Sequence, residues 1–205
     1  MNHLNAFNRA WECSRFTKIE LDPLDINGVL GEHYSCGSRF CMTKSQLWDM
    51  EVMKARRPDL FIPSVVQPNS ALAWGGEIKG NVETFTRVSL QRLWLDETKY
   101  GTVIESVHVD HSSKIVTFIG ELQATSAEYG NFKKSKTQPV FHVQHGVQGD
   151  EGNPQNTWKI VHLSSKNKEN LKERFKKIDD NKWLPEYVEI YLTNIIGLAL
   201  NRKHA

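Results

Sequence analysis

Three runs of alternating side chains between Val82 and Leu122 constrain this chain more than any other stretch: VETFTRVSLQRLW, GTVIESVHVD and KIVTFIGEL. A period of two sends every second residue to the same face of an extended strand. The connections, containing DETKY and HSS, carry turn-forming residues. The stretch therefore predicts three antiparallel strands joined by short hairpins, with one face buried.

Turn positions then suggest a register. A first hairpin centred near Thr98 and Lys99 sets Val88, Leu90, Arg92 and Trp94 opposite Val109, Val107, Glu105 and Val103. A second, near His111 and Ser112, brings Val116 and Phe118 to the same face. On that register Arg92 faces Glu105 in the middle of an apolar surface, and Glu83, Arg87, Ser89 and Gln91 face water. Such a pair is either a partly wet rim contact that contributes little or part of a cavity, where it would orient a polar ligand.

A further hairpin is predicted from PVFHVQHGV at 139–147 and TWKIVHL at 157–163, joined by QGDEGNPQN. A centre near Glu151 pairs Phe141, Val143 and His145 with His162, Ile160 and Trp158. His145 and His162 then share the core-side face and are the best acid–base candidates, because imidazole titrates near neutral pH. Between the two sheet segments, the polar chain to Gln138 reads as a long connection.

Helices frame these strands. Thr43 sits where an N-cap should, before a helix from Lys44 to about Arg57 whose apolar face carries Trp48, Val52 and Ala55, and Pro58 ends it. Glu32 to Met42 is the first strand candidate, and Ser64 to Trp74 a second, at an edge because of Pro68. A final helix opens at Lys182, with Leu184, Val188, Tyr191, Ile195 and Leu198 at three- and four-residue steps. Tyr187 and Tyr191 lie one turn apart on it, and its wide stripe predicts a mostly buried element against the sheet.

With 205 residues and a net charge of +2, the chain is sized for one ordinary domain and has no basic stripe that would favour nucleic acid. The division expected is an N-terminal extension over 1–30 and a single ligand-binding domain over 31–205. Cys13, Cys36 and Cys41 have neither disulfide-framework nor zinc spacing. Together with the lack of a signal-peptide pattern and of any run of about 20 apolar residues, this predicts a cytoplasmic protein with no membrane span. No GxSxG, P-loop, GxGxxG or HExxH motif occurs, so no cofactor and no metal are expected. The oligomeric expectation is a monomer or homodimer.

The order of strand, helix pair, antiparallel strands and terminal helix is that of the helix-grip fold. SQLWDMEVMKARRPDLFIPSV at 45–65 resembles the opening motif of the AtaL-like branch of the SRPBCC superfamily, which includes START domains, birch-pollen-type allergens and polyketide cyclases. FTRVSL and TVIESVHVD are similar to later strands of that branch, and the likeness spans residues 32–200. The resemblance implies an α+β helix-grip fold, a curved antiparallel sheet of about six or seven strands around a long C-terminal helix, with a hydrophobic cavity between them. It also implies an apolar small-molecule ligand.

Two functions follow from that resemblance. One is a cofactor-independent enzyme of secondary metabolism, promoting cyclisation, rearrangement or dehydration of a polyketide or terpenoid-like intermediate. The other is a non-catalytic carrier or sensor; a collapsed interaction domain is a third possibility. The expected catalytic groups are Arg92, Glu105, His145 and His162. The expected ligand contacts are Trp48, Leu90, Trp94, Val103, Val107, Phe118, Phe141, Trp158, Tyr187 and Tyr191.

Overall fold

A computed structural model describes residues 2–180 and 182–203. One seven-stranded antiparallel sheet organises them, in the spatial order β1-β10-β9-β6-β5-β4-β3. Its members are β1 (Thr17–Asp25), β3 (Leu72–Lys79), β4 (Val82–Leu93), β5 (Asp96–Asp110), β6 (Ile115–Gly120), β9 (Phe141–Asp150) and β10 (Asn153–His162). The expected meander is β4-β5-β6, and the expected second hairpin is β9-β10. Two small pairs complete the strands: β2 (Tyr34–Cys36) with β11 (Leu200–Arg202), and β7 (Gln123–Ser126) with β8 (Gly130–Lys133).

Helices cover both faces. On the outer face lies α1 (His3–Glu12), where Phe7 and Ala10 pack against Ile119 and Val161. On the inner face lie α2 (Ile26–His33), α3 (Lys44–Arg56), α4 (Pro58–Phe61) and α6 (Glu186–Ile190), the last running into a π-helical turn, Tyr191–Ile195. α5 (Lys168–Asp179) covers a different part of that face, packing Leu171 and Phe175 on Ile19, Phe141 and Ile160. This is the helix-grip architecture.

Local chemistry explains why α3 is where it is. Gln46 N–H donates to Thr43 Oγ1 at 3.1 Å, and Thr43 N–H donates back to Gln46 Oε1 at 2.9 Å. This capping box satisfies two of the groups a helix start leaves orphaned. Leu47, Met50 and Ala55 are wholly buried, and each large apolar side chain of this kind contributes about 1.5–3 kcal/mol.

Three expectations are corrected. The first strand is Thr17–Asp25, inside the stretch read as an extension, and Glu32–Met42 supplies only the short β2. The last helix, expected from Lys182, is not long: α6 covers only Glu186–Ile190 before the π turn Tyr191–Ile195, and residues 182–185 lie outside any helix. Pro185, which has no N–H to donate, precedes α6 at φ −56°, and Gly197 at φ +76° lets the chain turn back toward β2 after the π turn.

The third correction is the β4-β5 register. Arg92 pairs with Tyr100, and Glu105 pairs with Arg87. The reversal occurs at Trp94 and Leu95, with a bulge between Arg92 and Leu93, and DETKY belongs to β5. A shift by an odd number of residues exchanges the two faces of β4. Glu83, Phe85, Arg87, Ser89, Gln91 and Leu93 therefore point inward and are buried, whereas Leu90 and Arg92 lie on the opposite face.

Candidate functional site

The inner face carries a continuous set of buried polar side chains, and α3 supplies its centre. Residues 47, 51 and 54 recur at helical spacing, so Glu51 and Lys54 share the buried face with Leu47. Glu51 is 0 % exposed and Lys54 2 %. Lys54 Nζ donates to Glu51 Oε1 at 2.7 Å and stands 3.7 Å from the centroid of the Tyr187 ring. Asn156 Nδ2 donates to the same carboxylate oxygen at 3.0 Å and to the Gly146 carbonyl at 3.1 Å. Asn156 Oδ1 in turn accepts from Tyr187 OH at 2.6 Å and from Trp158 Nε1 at 3.2 Å.

His145 closes this cluster. Its Nδ1 lies 3.3 Å from Glu51 Oε2, and its ring stacks on Trp158 at 4.9 Å. Burial, assisted by the Lys54 and Arg87 cations, pushes the imidazole down to about 4 against the pull of Glu51. The ring is thus neutral at physiological pH. A carboxylate only accepts, so the single proton sits on Nδ1 and Nε2 keeps its lone pair. Burial would raise Glu51, but the neighbouring Lys54 and His145 overcome that and hold it at about 2. Above the His145 transition the positive charge comes from Lys54, and neutral His145 contributes through its hydrogen bond. Burial pushes Lys54 down and the Tyr187 phenol up.

A second charge pair continues the set. Arg87 donates from Nε to Glu105 Oε2 at 2.7 Å, and its other guanidinium arm donates to the Ala55 carbonyl at 2.7 Å. Its guanidinium also lies 4.3 Å from the centroid of Phe118. Beside the first cluster, Asn156, Trp158 and Tyr187 line a cavity of about 80 Å³ walled by Leu21 and Leu24 of β1 and by Trp183. A second cavity, of about 40 Å³, lies where Gln91, Val103, Glu105 and Phe141 meet.

Of the expected catalytic groups, the structure brings only His145 into this cluster, with Glu105 beside it through Arg87. Arg92 is removed from it: its guanidinium donates to the Ser64 and Glu97 carbonyls at the surface. His162 does share the inner face with His145, in the expected β9-β10 register. It stacks on Phe141, however, with Ile160 between it and Trp158 along the strand.

Among the expected ligand contacts, Trp158 and Tyr187 line the larger cavity, and Trp94, Val103 and Phe141 the smaller one. Val107 and Phe118 are packed core. Tyr191 donates its hydroxyl to Asp49 Oδ2 at 2.9 Å, and Trp48 donates to His111 at 3.2 Å, so both point away from the central cluster. Leu90 lies on the other face of β4. The residues missed were Glu51, Lys54, Arg87 and Asn156. Glu51 and Lys54 were findable, since an acid and a base three apart fall on the apolar face of α3.

No protein-family model and no curated protein matches this chain. Among solved structures, the chain is similar to Zhui aromatase/cyclase from Streptomyces sp. R1128, at 7 % identity and a TM-score of 0.48, over 87 % of this chain and 95 % of that one. It is similar to Ara h 8.0201 at 10 % identity and a TM-score of 0.45, over 87 % and 99 % respectively. Likeness to ginseng major latex-like protein 151 from Panax ginseng stands at 11 % identity and a TM-score of 0.46, over 90 % and 97 %. No helix among the described residues is long and apolar enough to cross a membrane, and no group of His, Cys, Asp and Glu among them could hold a metal ion.

Proposed function

We propose that the protein binds a small molecule with an apolar body and one carbonyl or enol group beneath α6, and moves a proton on it without a cofactor. The single observation that carries this reading is the Glu51–Lys54 ion pair, wholly buried against Tyr187 and a neutral His145. A hydrophobic core of equal volume would be as stable or more so without such a pair. Buried, mutually perturbed titratable groups beside a cavity mark functional sites more often than packing solutions.

The roles follow from charge. Lys54 and the Tyr187 hydroxyl are suited to stabilising an oxyanion that develops on a carbonyl. His145, held by Glu51 through Nδ1, offers Nε2 as the base. Cyclisation, rearrangement or dehydration of a polyketide or terpenoid-like intermediate would use these steps. A substrate of that size also requires Trp183 to swing outward, because a cavity of about 80 Å³ is well below the roughly 300 Å³ at which pockets for larger ligands begin.

The test is to supply purified protein with carbonyl-bearing intermediates of increasing size and follow product formation, with His145→Gln as the comparison. The proposal requires turnover above buffer and a loss of at least about tenfold in the variant, as general-base catalysis commonly contributes more than that. An undiminished rate in a folded His145→Gln protein refutes the role. A second reading, a carrier without turnover, is favoured by one observation: Asn156, Tyr187 and Glu51 already satisfy one another within the protein. Saturable binding with no acceleration for any candidate would select it.

A further inference from the structure

The buried polar side-chain atoms that lack a hydrogen-bond partner, among the described residues, are Gln138 Nε2, Gln138 Oε1 and His162 Nδ1. Leaving such groups unpaired inside a protein is costly, and each instance calls for a cause. All three belong to residues of one groove, about 510 Å³ in volume, which runs between the segment 134–140 and the start of α5. Gln138 also lines the 40 Å³ cavity on the inner face, and Gly120, Glu121, Lys134, Pro139 and Val140 are common to both walls. The groove and the inner cavity thus share Gln138 as a wall residue; it is 2 % exposed, and both atoms of its carboxamide head are buried.

The segment that carries Gln138 is built to hold it there. Ser135 N–H donates to the Thr102 carbonyl at 3.1 Å, and Thr102 N–H donates to Ser135 Oγ at 2.8 Å. Lys134 Nζ clamps the turn by donating to the Ser135 and Gln138 carbonyls at 3.0 and 2.8 Å. Close approach to the sheet depends on glycine: a Cβ at Gly101 would lie 3.3 Å from Gln138 Cβ and 3.2 Å from Ser135 Cβ, and one at Gly120 would lie 2.4 Å from the Phe141 carbonyl. The lysine head is therefore spent on backbone, while the amide head at the centre bonds to nothing.

We infer that this groove is a second ligand site, distinct from the Lys54 cluster, in which Gln138 reads a carboxamide- or lactam-type edge and His162 Nδ1 supplies a further polar contact. A primary carboxamide with both atoms free is complementary to a group presenting one N–H donor beside one carbonyl acceptor. Around it, Pro139, Val140 and Leu163 offer apolar contact to the rest of the molecule. The inference does not rest on the proton-transfer reading, since none of the four residues Glu51, Lys54, His145 and Tyr187 lines the groove.

The test uses the full chain, labelled with nitrogen-15, and two probes of nearly equal size: 2-pyridone, which has the donor–acceptor edge, and N-methyl-2-pyridone, which lacks the donor. 2-Pyridone should shift the Gln138 side-chain NH₂ signals and the Thr102 and Gly120 amides saturably in the millimolar range, and N-methyl-2-pyridone should bind at least tenfold more weakly. Gln138→Leu should abolish the saturable shift without lowering the melting temperature, because an unpaired amide is removed. Equal affinity for the two probes, absence of any saturable shift, or undiminished 2-pyridone binding by Gln138→Leu overturns the inference. The comparison of the two probes on the unaltered protein decides the matter even if the variant does not fold.

Discussion

Removing Lys54 while leaving Glu51 tests the physics at the centre of the molecule. In Lys54→Met the Glu51 carboxylate, 0 % exposed, keeps its hydrogen bonds from Asn156 and His145 but loses the only full positive charge that donates to it. Stranding one partner of a buried pair costs about 3–5 kcal/mol. For a chain of this length each kcal/mol moves the melting temperature by about 2–4 °C, so the expected fall is about 6–20 °C. The loss should depend on pH in a definite direction. Lys54 repulsion is part of what holds His145 down at about 4. Without it the folded variant takes up a proton on His145 that the unaltered protein does not, and pairs it with Glu51. Proton uptake by the folded state adds stability as pH falls. The penalty should therefore be larger at pH 8 than at pH 5.5. The double variant Glu51→Gln/Lys54→Met, with no charge left to strand, should recover most of the stability. Urea denaturation of the four proteins at both pH values measures this cycle. A penalty below about 1 kcal/mol at pH 8, or a double variant no more stable than the worse single one, refutes the reasoning.

Other outcomes follow from the same geometry. Because the folded His145 stays neutral down to about 4 while an unfolded histidine takes up its proton near 6.5, its share of the stability should fall by about 1.4 kcal/mol per pH unit as pH drops through that interval; unfolding free energies at pH 7, 6 and 5 check this, and His145→Gln should reduce the slope to what His142 and His162, also pushed down by burial, contribute. Arg87→Met should cost about 3 kcal/mol by stranding Glu105, whereas Arg92→Ala, at the surface, should change stability by less than about 1 kcal/mol; parallel denaturant titrations separate the two. Tyr187→Phe removes one of two donors to Asn156 Oδ1 and should cost about 1–2 kcal/mol by thermal melting, with the cooperative transition retained.

How much of this was legible depends on where turn chemistry sits in the sequence. The β9-β10 hairpin reads correctly because its loop concentrates Gly, Asp, Asn and Pro between two alternating runs, with Gly149 at φ +81°. That register placed His145 opposite Trp158, as observed. The β4-β5 hairpin misleads because its turn, at Trp94 and Leu95, contains no turn former, while DETKY, which looks like a turn, lies in β5. Trp94 is anchored instead by tertiary stacking, 4.0 Å from Phe141 and 4.6 Å from Phe175. No local signal encodes that, and the resulting shift exchanged Arg92 for Arg87. The long final helix misled for a related reason: its apolar period is real, but Pro185 and Gly197 bound the helical stretch that forms. Asn156 was invisible, because nothing about an asparagine at a strand start announces four hydrogen bonds.

The gap between α5 and α6 has a mechanical consequence. A single rod lying across the sheet would have to lift as one piece. Here Lys168–Asp179 and Glu186–Ile190 are separate helices, and β11 pairs with β2 beyond them. Phe141 is covered by α5 and Tyr187 belongs to α6, so the two ends of the inner face are roofed by separate pieces.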